Sequence, residues 1–586
     1  MRNIKVSEGA VMTTLQKMFL NNLGNEKANS LYFHIKNGFY RNTNRDFQLF
    51  SGGIFDTNTY FNSFPIEFYL KHTSVRNIFL NISIVGNAIL KIYGIGENLK
   101  CEINEFFINN REIRTQSLAI GKSFDKTKVK YFYLEIIALD TCIIKNVEWE
   151  TLQSPIRNIK LSICCTTFNR PDDVNRLIIR LSKNDDLRKK SHLYIINNGD
   201  PIEETEYDYC TIIQNKNTGG TGGFMRGLIE AKQSKYFTHV MFIDDDAFCE
   251  PLSILKAITI LEYAKSNNDS IAGAMLYLDR PWIQYEAGAS LKEFNIESNH
   301  PNLDLREESN LIENLKTRYC EYGPWWFFVF PIKKDLKFSF PFFVRGDDVT
   351  FSLRNEFKPF LVNGICSWQE SFDAKISPSV EYLAFRSFIM FSLLYVKEDI
   401  SSIKLFKYIF SHILRELLGY RYSIANALCQ SLIDVEKGPD FWKEHVEMGE
   451  RLKQIVKISG SVECYDSEIS PAIYSEPYVK VYQKIFASIT FFGHIFPNII
   501  CKKGVCVLGL SARPYSANGK KYIEQYSPEN NKVFRFKKKN KLFFELLFKS
   551  IYLSGRICLK KDKLRKAYNN SLSNFESIEF WKESLR

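Results

Sequence analysis

The chain is poor in the residues that staple or anchor a protein. Its 586 residues include 13 cysteines, an odd number scattered from Cys101 to Cys558. Only Cys164 and Cys165, and more loosely Cys501 and Cys506, come close together. Such spacing excludes a zinc framework and a disulfide scaffold, and fits a reducing compartment. Histidine is scarce too, at eight. Residues 1–5, Met-Arg-Asn-Ile-Lys, lack the apolar stretch of a signal peptide. The most apolar segment, 485–500, is short and interrupted by Gly493, His494 and Pro497. A spanning helix needs about 20 apolar residues, so no transmembrane helix is expected. Acidic residues are thin in one place: over 532–566, thirteen Lys and Arg face only Glu545 and Asp562. Nearly all of the formal net charge of +12 therefore sits there, and the rest of the chain is close to neutral. A nucleic-acid channel through the protein is not expected.

What is present is ample core material. With 48 Phe, 30 Tyr and 45% hydrophobic residues, the length predicts about three or four domains. Residues 1–155 read as all-β, with β-branched and aromatic runs at 77–85, 89–93 and 131–137 broken by Gly and Asn/Asp turns; a β-sandwich is expected. Pro155 is a plausible linker. From Ile159 the rhythm changes to alternating strand and helix. The run 159–168 is a strand, Pro171 opens a helix with Val174, Leu177, Ile178 and Leu181 at helical spacing, and 192–196 is the next strand. A short strand at 211–213 follows, then a glycine-rich run and a helix over about 224–232. Such alternation predicts a mainly parallel sheet that binds its ligand at the strands' carboxyl ends, where Thr167, Asn198, Gly219 and Asp244 all lie. Beyond about residue 377, amphipathic segments such as 381–395 and 403–417 predict a helical region extending to 586.

The most informative segment is 240–246, Val-Met-Phe-Ile-Asp-Asp-Asp. Three carboxylates at the end of an apolar strand repel one another where burial is costly, and a divalent cation with its preference for hard oxygen ligands relieves that. Alternate residues of an extended chain point the same way, so Asp244 and Asp246 can grip one ion while Asp245 faces elsewhere. An exposed acidic turn is the plainer alternative. Thr-Phe-Asn-Arg-Pro at 167–171 follows the first strand of the alternating region and offers Arg170 to a phosphate. Asn-Thr-Gly-Gly-Thr-Gly-Gly at 217–223 matches neither a P-loop nor a dinucleotide fingerprint; it is a turn or a close approach of backbone to ligand at a helix N-terminus.

Together with Trp325-Trp326, Arg-Gly-Asp-Asp at 345–348 and Trp368, these motifs resemble a family 2 GT-A glycosyltransferase, and more closely the bacterial galactofuranosyltransferases that extend galactan chains. The resemblance implies three parts: an N-terminal β-sandwich (1–155), a GT-A domain with a Rossmann-like mixed sheet (156–376) and a helical C-terminal region (377–586). It implies that Asp244 and Asp246 hold Mn2+ or Mg2+ on the diphosphate of UDP-galactofuranose. Asp245 would lie near the donor sugar or ribose. Thr167, Arg170, Asn198, Asn217, Gly219 and Gly220 would line the nucleotide-sugar pocket. Asp348 would be the general base of an inverting displacement, with Asp347 beside it on the sugar or acceptor side; the plainer reading of the pair is a helix cap. Trp325 or Trp326 would give the acceptor an aromatic platform, or else be ordinary core. Glu286 would contact a sugar hydroxyl. Where the family usually has a histidine as third metal ligand, directly after the matching Trp, this chain has Gln369. An amide oxygen is a poorer ligand for Mn2+ than imidazole, which leaves Mg2+, weaker binding or a different ligand such as Glu370 open.

Cations and large apolar residues interleave over 534–549, as in a helix lying on an anionic bilayer or one packing its apolar side on the protein. With a lipid-linked glycan acceptor, the expected setting is peripheral, on the cytoplasmic face of the cell membrane, during synthesis of a galactan, O-antigen (lipopolysaccharide) or capsule. A homo-oligomer is compatible with this. The alternatives are a family 2 transferase with a pyranose or rhamnose donor, and a non-catalytic carbohydrate-binding protein, which would need neither a cation site nor a base.

Overall fold

The computed structural model describes residues 12–121, 124–202, 208–292, 295–370, 376–395, 400–466, 473–474, 480–528 and 531–586; residues 1–5, read above for a signal segment, lie outside them. The fold is mixed α/β, and its compactness defines two units. The first takes in 1–214, 227–336 and 352–370, the second 215–226, 337–351 and 371–586.

The first unit begins with an all-β region built on one long strand, Phe79–Gly96, that pairs with Leu99–Ala119 along its length. Ala88, Leu90 and Ile92 are fully buried while the residues between them are half-buried, the period-2 pattern of a strand with one dry face. The first half of this strand pairs with Cys142–Thr151 and the second half with Tyr131–Ala138; Asp46–Asp56 pairs with both of those in turn. The region is all-strand in its framework, as expected, but its strands form one hydrogen-bonded set where a sandwich would show two separately bonded sheets. The reason is a register shift between Ile84 and Gly86, where Gly86 at φ 106° lets the long strand change partners.

The same unit carries the alternating region. Its sheet runs in the order Cys210–Gln214, Ser191–Asn197, Leu161–Thr167, His239–Asp244, Phe328–Pro331, Ile271–Tyr277, Phe360–Gln369, Phe248–Cys249. The first four strands are parallel, Phe328–Pro331 is antiparallel to both of its neighbours, and Ile271–Tyr277 is parallel to Phe360–Gln369. The helix Pro171–Ser182 starts with its proline at the first position and buries Val174, Leu177, Ile178 and Leu181, the residues the spacing selects. The helix after the glycine run begins at Gly219, earlier than its composition suggests. Register places Thr167 opposite Asn197, and Asp244 opposite Thr166, so the carboxyl ends of these strands share one edge.

The second unit is largely helical. Pro378–Leu394 and Ser402–Leu418 coincide with the two amphipathic segments, and Tyr422–Glu436 packs against them. It also holds a four-stranded sheet, in the order Glu463–Asp466, Lys532–Lys537, Tyr522–Ser527, Val505–Leu508. The basic segment 532–566 is therefore not one interfacial helix. It starts as a strand, and the helix that follows, Asn540–Leu559, turns Phe543, Leu546, Leu547, Leu553 and Ile557 into the core. Among the described residues no helix is long and apolar enough to cross a membrane.

Ile163 is fully buried on the central strand Leu161–Thr167, between Leu193 and Met241 of its two parallel neighbours. Ile163→Ala should lower the unfolding free energy by about 2–5 kcal/mol, measured by denaturant titration with circular dichroism.

Candidate active site

The strand His239–Asp244 is buried up to Ile243, and its end delivers the acidic run to the sheet edge. Neighbouring side chains then divide the three carboxylates. Asp245, almost wholly buried, accepts a hydrogen bond from the Thr167 hydroxyl at 2.7 Å and one from Arg170 Nη1 at 3.1 Å. The same Nη1 donates to Asp246 Oδ2 at 2.5 Å. Burial pushes the Asp245 carboxyl above its ordinary range, against the pull of Thr167 and Arg170. Asn169, at φ 56°, turns the loop just ahead of Arg170 in the left-handed conformation that asparagine tolerates. Asn198 is buried at the end of the adjacent strand, its backbone N–H donating to the Thr167 carbonyl at 2.9 Å.

Asp244 and Asp246 share a third neighbour. Gln369, only 3% exposed at the end of Phe360–Gln369, donates Nε2 to Asp244 Oδ2 at 3.1 Å and to Asp246 Oδ1 at 3.0 Å. Its Oε1 is buried without a hydrogen-bond partner. The strand ends at Asp244 and a turn follows at 245–246, which brings the two carboxylates to one point while Asp245 meets Thr167 and Arg170. An amide donor relieves the repulsion between the two carboxylates without neutralising it. A half-turn of the amide, whose oxygen and nitrogen are nearly isosteric, exchanges the orphaned oxygen with the donor and puts three hard oxygen atoms around that point. Asp244, Asp246 and Gln369 therefore fit a divalent cation of the Mg2+ or Mn2+ kind. Among the described residues no three His, Cys, Asp or Glu side chains group closely enough to do so, and Glu370 is exposed.

The second unit holds the other motifs. Asn217 Oδ1 accepts from the Gly219 N–H at 3.2 Å, and Gly219 takes φ 72°. A methyl group on Gly219 would stand 2.2 Å from the Phe343 carbonyl oxygen. Gly220 follows, half-buried, and Thr221 then locks this loop to the segment 343–347. Its N–H donates to the Phe343 carbonyl at 3.0 Å and its hydroxyl to Asp347 Oδ2 at 2.6 Å. Phe343, Arg345 and Gly346 all have left-handed φ, at 75°, 68° and 82°. Strain of this kind persists only where surrounding contacts hold it. Asp347 is buried and burial pushes its carboxyl up, whereas Asp348 is half-buried and accepts from the Val349 N–H at 2.8 Å. Both begin the helix Asp347–Arg354, whose positive end favours carboxylate. The expected pair is therefore split between an inward, hydrogen-bonded residue and a more accessible one.

Three expected contacts do not take the expected form. Trp325 and Trp326 are core side chains, 5% and 9% exposed; Trp325 meets Phe242 edge to face and Trp326 Nε1 donates to the Gly273 carbonyl at 3.1 Å. Such burial leaves no open ring face for an acceptor platform. Glu286 is likewise buried, its two oxygens accepting from Tyr322 Oη at 3.1 Å and Ser298 Oγ at 2.5 Å, so its carboxylate is spent on the fold. Arg170, offered to a phosphate by its sequence position, is held here by Asp245 and Asp246. Thr221 escaped the sequence reading; its one signal was a hydroxyl placed amid glycines. The contact from Gln369 to both carboxylates depends on strand order, which no local pattern records.

Gly219→Ala should cost about 1–3 kcal/mol or displace the Phe343 loop, because the left-handed backbone and the close carbonyl both penalise a methyl group. Thermal unfolding checks it, with Gly220→Ala as the control, since a methyl there would meet nothing nearer than 3.7 Å.

No family model matches the chain. The galactofuranosyltransferase GlfT2 of Mycobacterium tuberculosis is 22% identical over 327 residues, an alignment that covers 50% of each protein. The chain thus spans about half the length of that relative. The GlfT2 of Mycolicibacterium smegmatis is 20% identical over 583 residues, covering 90% of this chain and 88% of that one. Of solved structures, residues 1–349 of S. aureus TarS align with 51% of this chain and 83% of that one at 12% identity and a TM-score of 0.30, too low to bear weight. In sequence the chain is similar over most of its length to galactofuranosyltransferases of the GlfT2 kind, and the enzyme class that similarity supports is glycosyltransferase.

Proposed function

We propose that the protein is an inverting, metal-dependent glycosyltransferase that moves galactofuranose from UDP-galactofuranose to a growing bacterial surface glycan at the cytoplasmic face of the cell membrane. The observation that carries this reading is the convergence of Asp244, Asp246 and Gln369 on one point at a strand end. The GlfT2 relatives supply the sugar. In this reading 1–155 is an N-terminal all-β part, 156–376 the transferase part and 377–586 the C-terminal part.

A divalent cation held by Asp244, Asp246 and Gln369 supplies the positive charge that a departing diphosphate needs. Arg170 and Thr167 hold the intervening Asp245 in place, keeping the two metal-facing carboxylates aligned. Arg170 is near enough to exchange its bond to Asp246 for one to phosphate when the donor arrives. Asn198, Asn217, Gly219 and Gly220 line the nucleotide-sugar side. Asp348 accepts the proton of the acceptor hydroxyl as that oxygen bonds to the anomeric carbon. The bond from this carbon to the diphosphate breaks, UDP leaves with the electron pair, and the configuration inverts. Asp347, tied to Thr221, positions Asp348.

Purified protein incubated with UDP-galactofuranose, UDP-hexopyranoses or dTDP-rhamnose and a synthetic galactan, with and without Mn2+, tests the reading. Transfer from UDP-galactofuranose that stops with EDTA is expected. Transfer only from another donor refutes the sugar, and binding of galactan with no turnover from any donor refutes the enzyme. Asp348→Asn should lower kcat by about 10²–10⁴-fold, while UDP affinity by calorimetry stays within about twofold. Gln369→His should raise the affinity for Mn2+ relative to Mg2+, and Gln369→Ala should weaken both by about tenfold, read by calorimetry on the protein without donor.

A further inference from the structure

One surface in the second unit is unlike the rest of the molecule. The helix Val481–Ile489 buries only Ala487. Val481, Ile485 and Ile489 form one exposed stripe, four residues apart, with Tyr482 and Phe486 beside it. Val481 is 73% exposed and Ile489 70%. The chain then doubles back and presents Ile495, Ile499 and Ile500, of which Ile499 is 90% exposed. Apolar side chains gathered this way on a protein surface mark a docking site.

The segment is firmly seated. Phe491, Phe492 and Gly493 take successive left-handed φ angles of 46°, 53° and 82°, which reverse the chain after the helix. Below them His494 is buried against Phe543, with ring centroids 3.8 Å apart, and its Nε2 lies 3.0 Å from Tyr422 Oη. Lys538 Nζ and Asn540 Nδ2 both donate to the Phe496 carbonyl, at 2.8 and 2.7 Å. These contacts hold the backbone from below while leaving the isoleucines outward.

Charge identifies the occupant. Between Glu476 and Glu524 the chain has no acidic residue, while Lys480, Lys484, Lys502, Lys503, Lys520 and Lys521 lie there. All but the half-buried Lys520 are exposed. A second copy docking symmetrically would bring these cations face to face. An anionic bilayer accepts both halves of the surface, the apolar stripe among its acyl chains and the lysines at its headgroups. We propose that 480–503 is the membrane-docking element of this protein, resting in the interface of an anionic leaflet.

Co-sedimentation with vesicles tests this, using full-length protein with phosphatidylglycerol–phosphatidylcholine mixtures and with phosphatidylcholine alone. Strong partition to the anionic vesicles, weakened by salt, is expected. Ile485→Asp/Ile489→Asp/Ile499→Asp should cut it by about tenfold or more, and Lys502→Glu/Lys503→Glu should remove the preference for phosphatidylglycerol. These side chains are exposed, so an unchanged circular dichroism melt is expected of both variants. As a readout that leaves the apolar stripe and the lysines intact, Tyr482→Trp in the otherwise unaltered protein should show fluorescence quenching by brominated lipid. Partition that survives the triple substitution, absence of quenching, or a triple variant that loses self-association by light scattering while partitioning as before would each overturn the proposal.

Discussion

The structure turns on the repulsion among Asp244, Asp245 and Asp246. Three consecutive carboxylates at the end of a buried strand cannot share one environment, and the turn that follows Asp244 separates them. Asp245 goes inward to Thr167 and Arg170, while Asp244 and Asp246 go to Gln369. Arg170 also reaches Asp246, so the one cation joins the two sides. The order of strands brings the partners to this end. Leu161–Thr167 lies directly beside His239–Asp244 and feeds the loop bearing Arg170, and Phe360–Gln369 ends on the same edge with its amide.

Gln369 places an amide where the family resemblance leads one to expect a histidine. A histidine would bring an imidazole nitrogen; an amide brings an oxygen on one side and a donor on the other. The donor side satisfies the carboxylates when they face each other alone, and the oxygen side suits a hard cation. The buried, unpartnered Oε1 is the cost of the first arrangement, since a polar atom left without a partner in the interior is unfavourable by about 1–3 kcal/mol. The second unit uses a different device. There a glycine in a left-handed turn admits the Phe343 carbonyl, Thr221 ties down Asp347, and Asp348 is left at the start of a helix.

Much of this was legible in the residues because it rests on short-range rules. Pro171 and the spacing of Val174, Leu177, Ile178 and Leu181 specify an amphipathic helix, and the apolar run 240–243 specifies the buried strand that delivers the acidic run. The segment 532–566 lies beyond such rules. Interleaved cations and apolar residues look the same whether the apolar side meets lipid or protein, and here Phe543, Leu546 and Ile557 meet protein while Phe548 and Leu559 are exposed. The burial of Trp325 and Trp326 was equally invisible, because an aromatic pair carries no mark of which side is open.

Local chemistry, then, was determined by the sequence alone: the alternating region, the strand ends that carry Thr167, Asn198 and Asp244, and the acidic run's demand for positive charge. Side-chain periodicity and like-charge repulsion act over a few residues and need no knowledge of the fold. Only the tertiary structure decided that Gln369 spans the two carboxylates, that Thr221 holds Asp347, and that 481–500 turns its apolar residues outward. Each of those depends on which distant segment fills the space beside a side chain. That is settled by the packing of the whole chain, where burial of one apolar face leaves another without a partner.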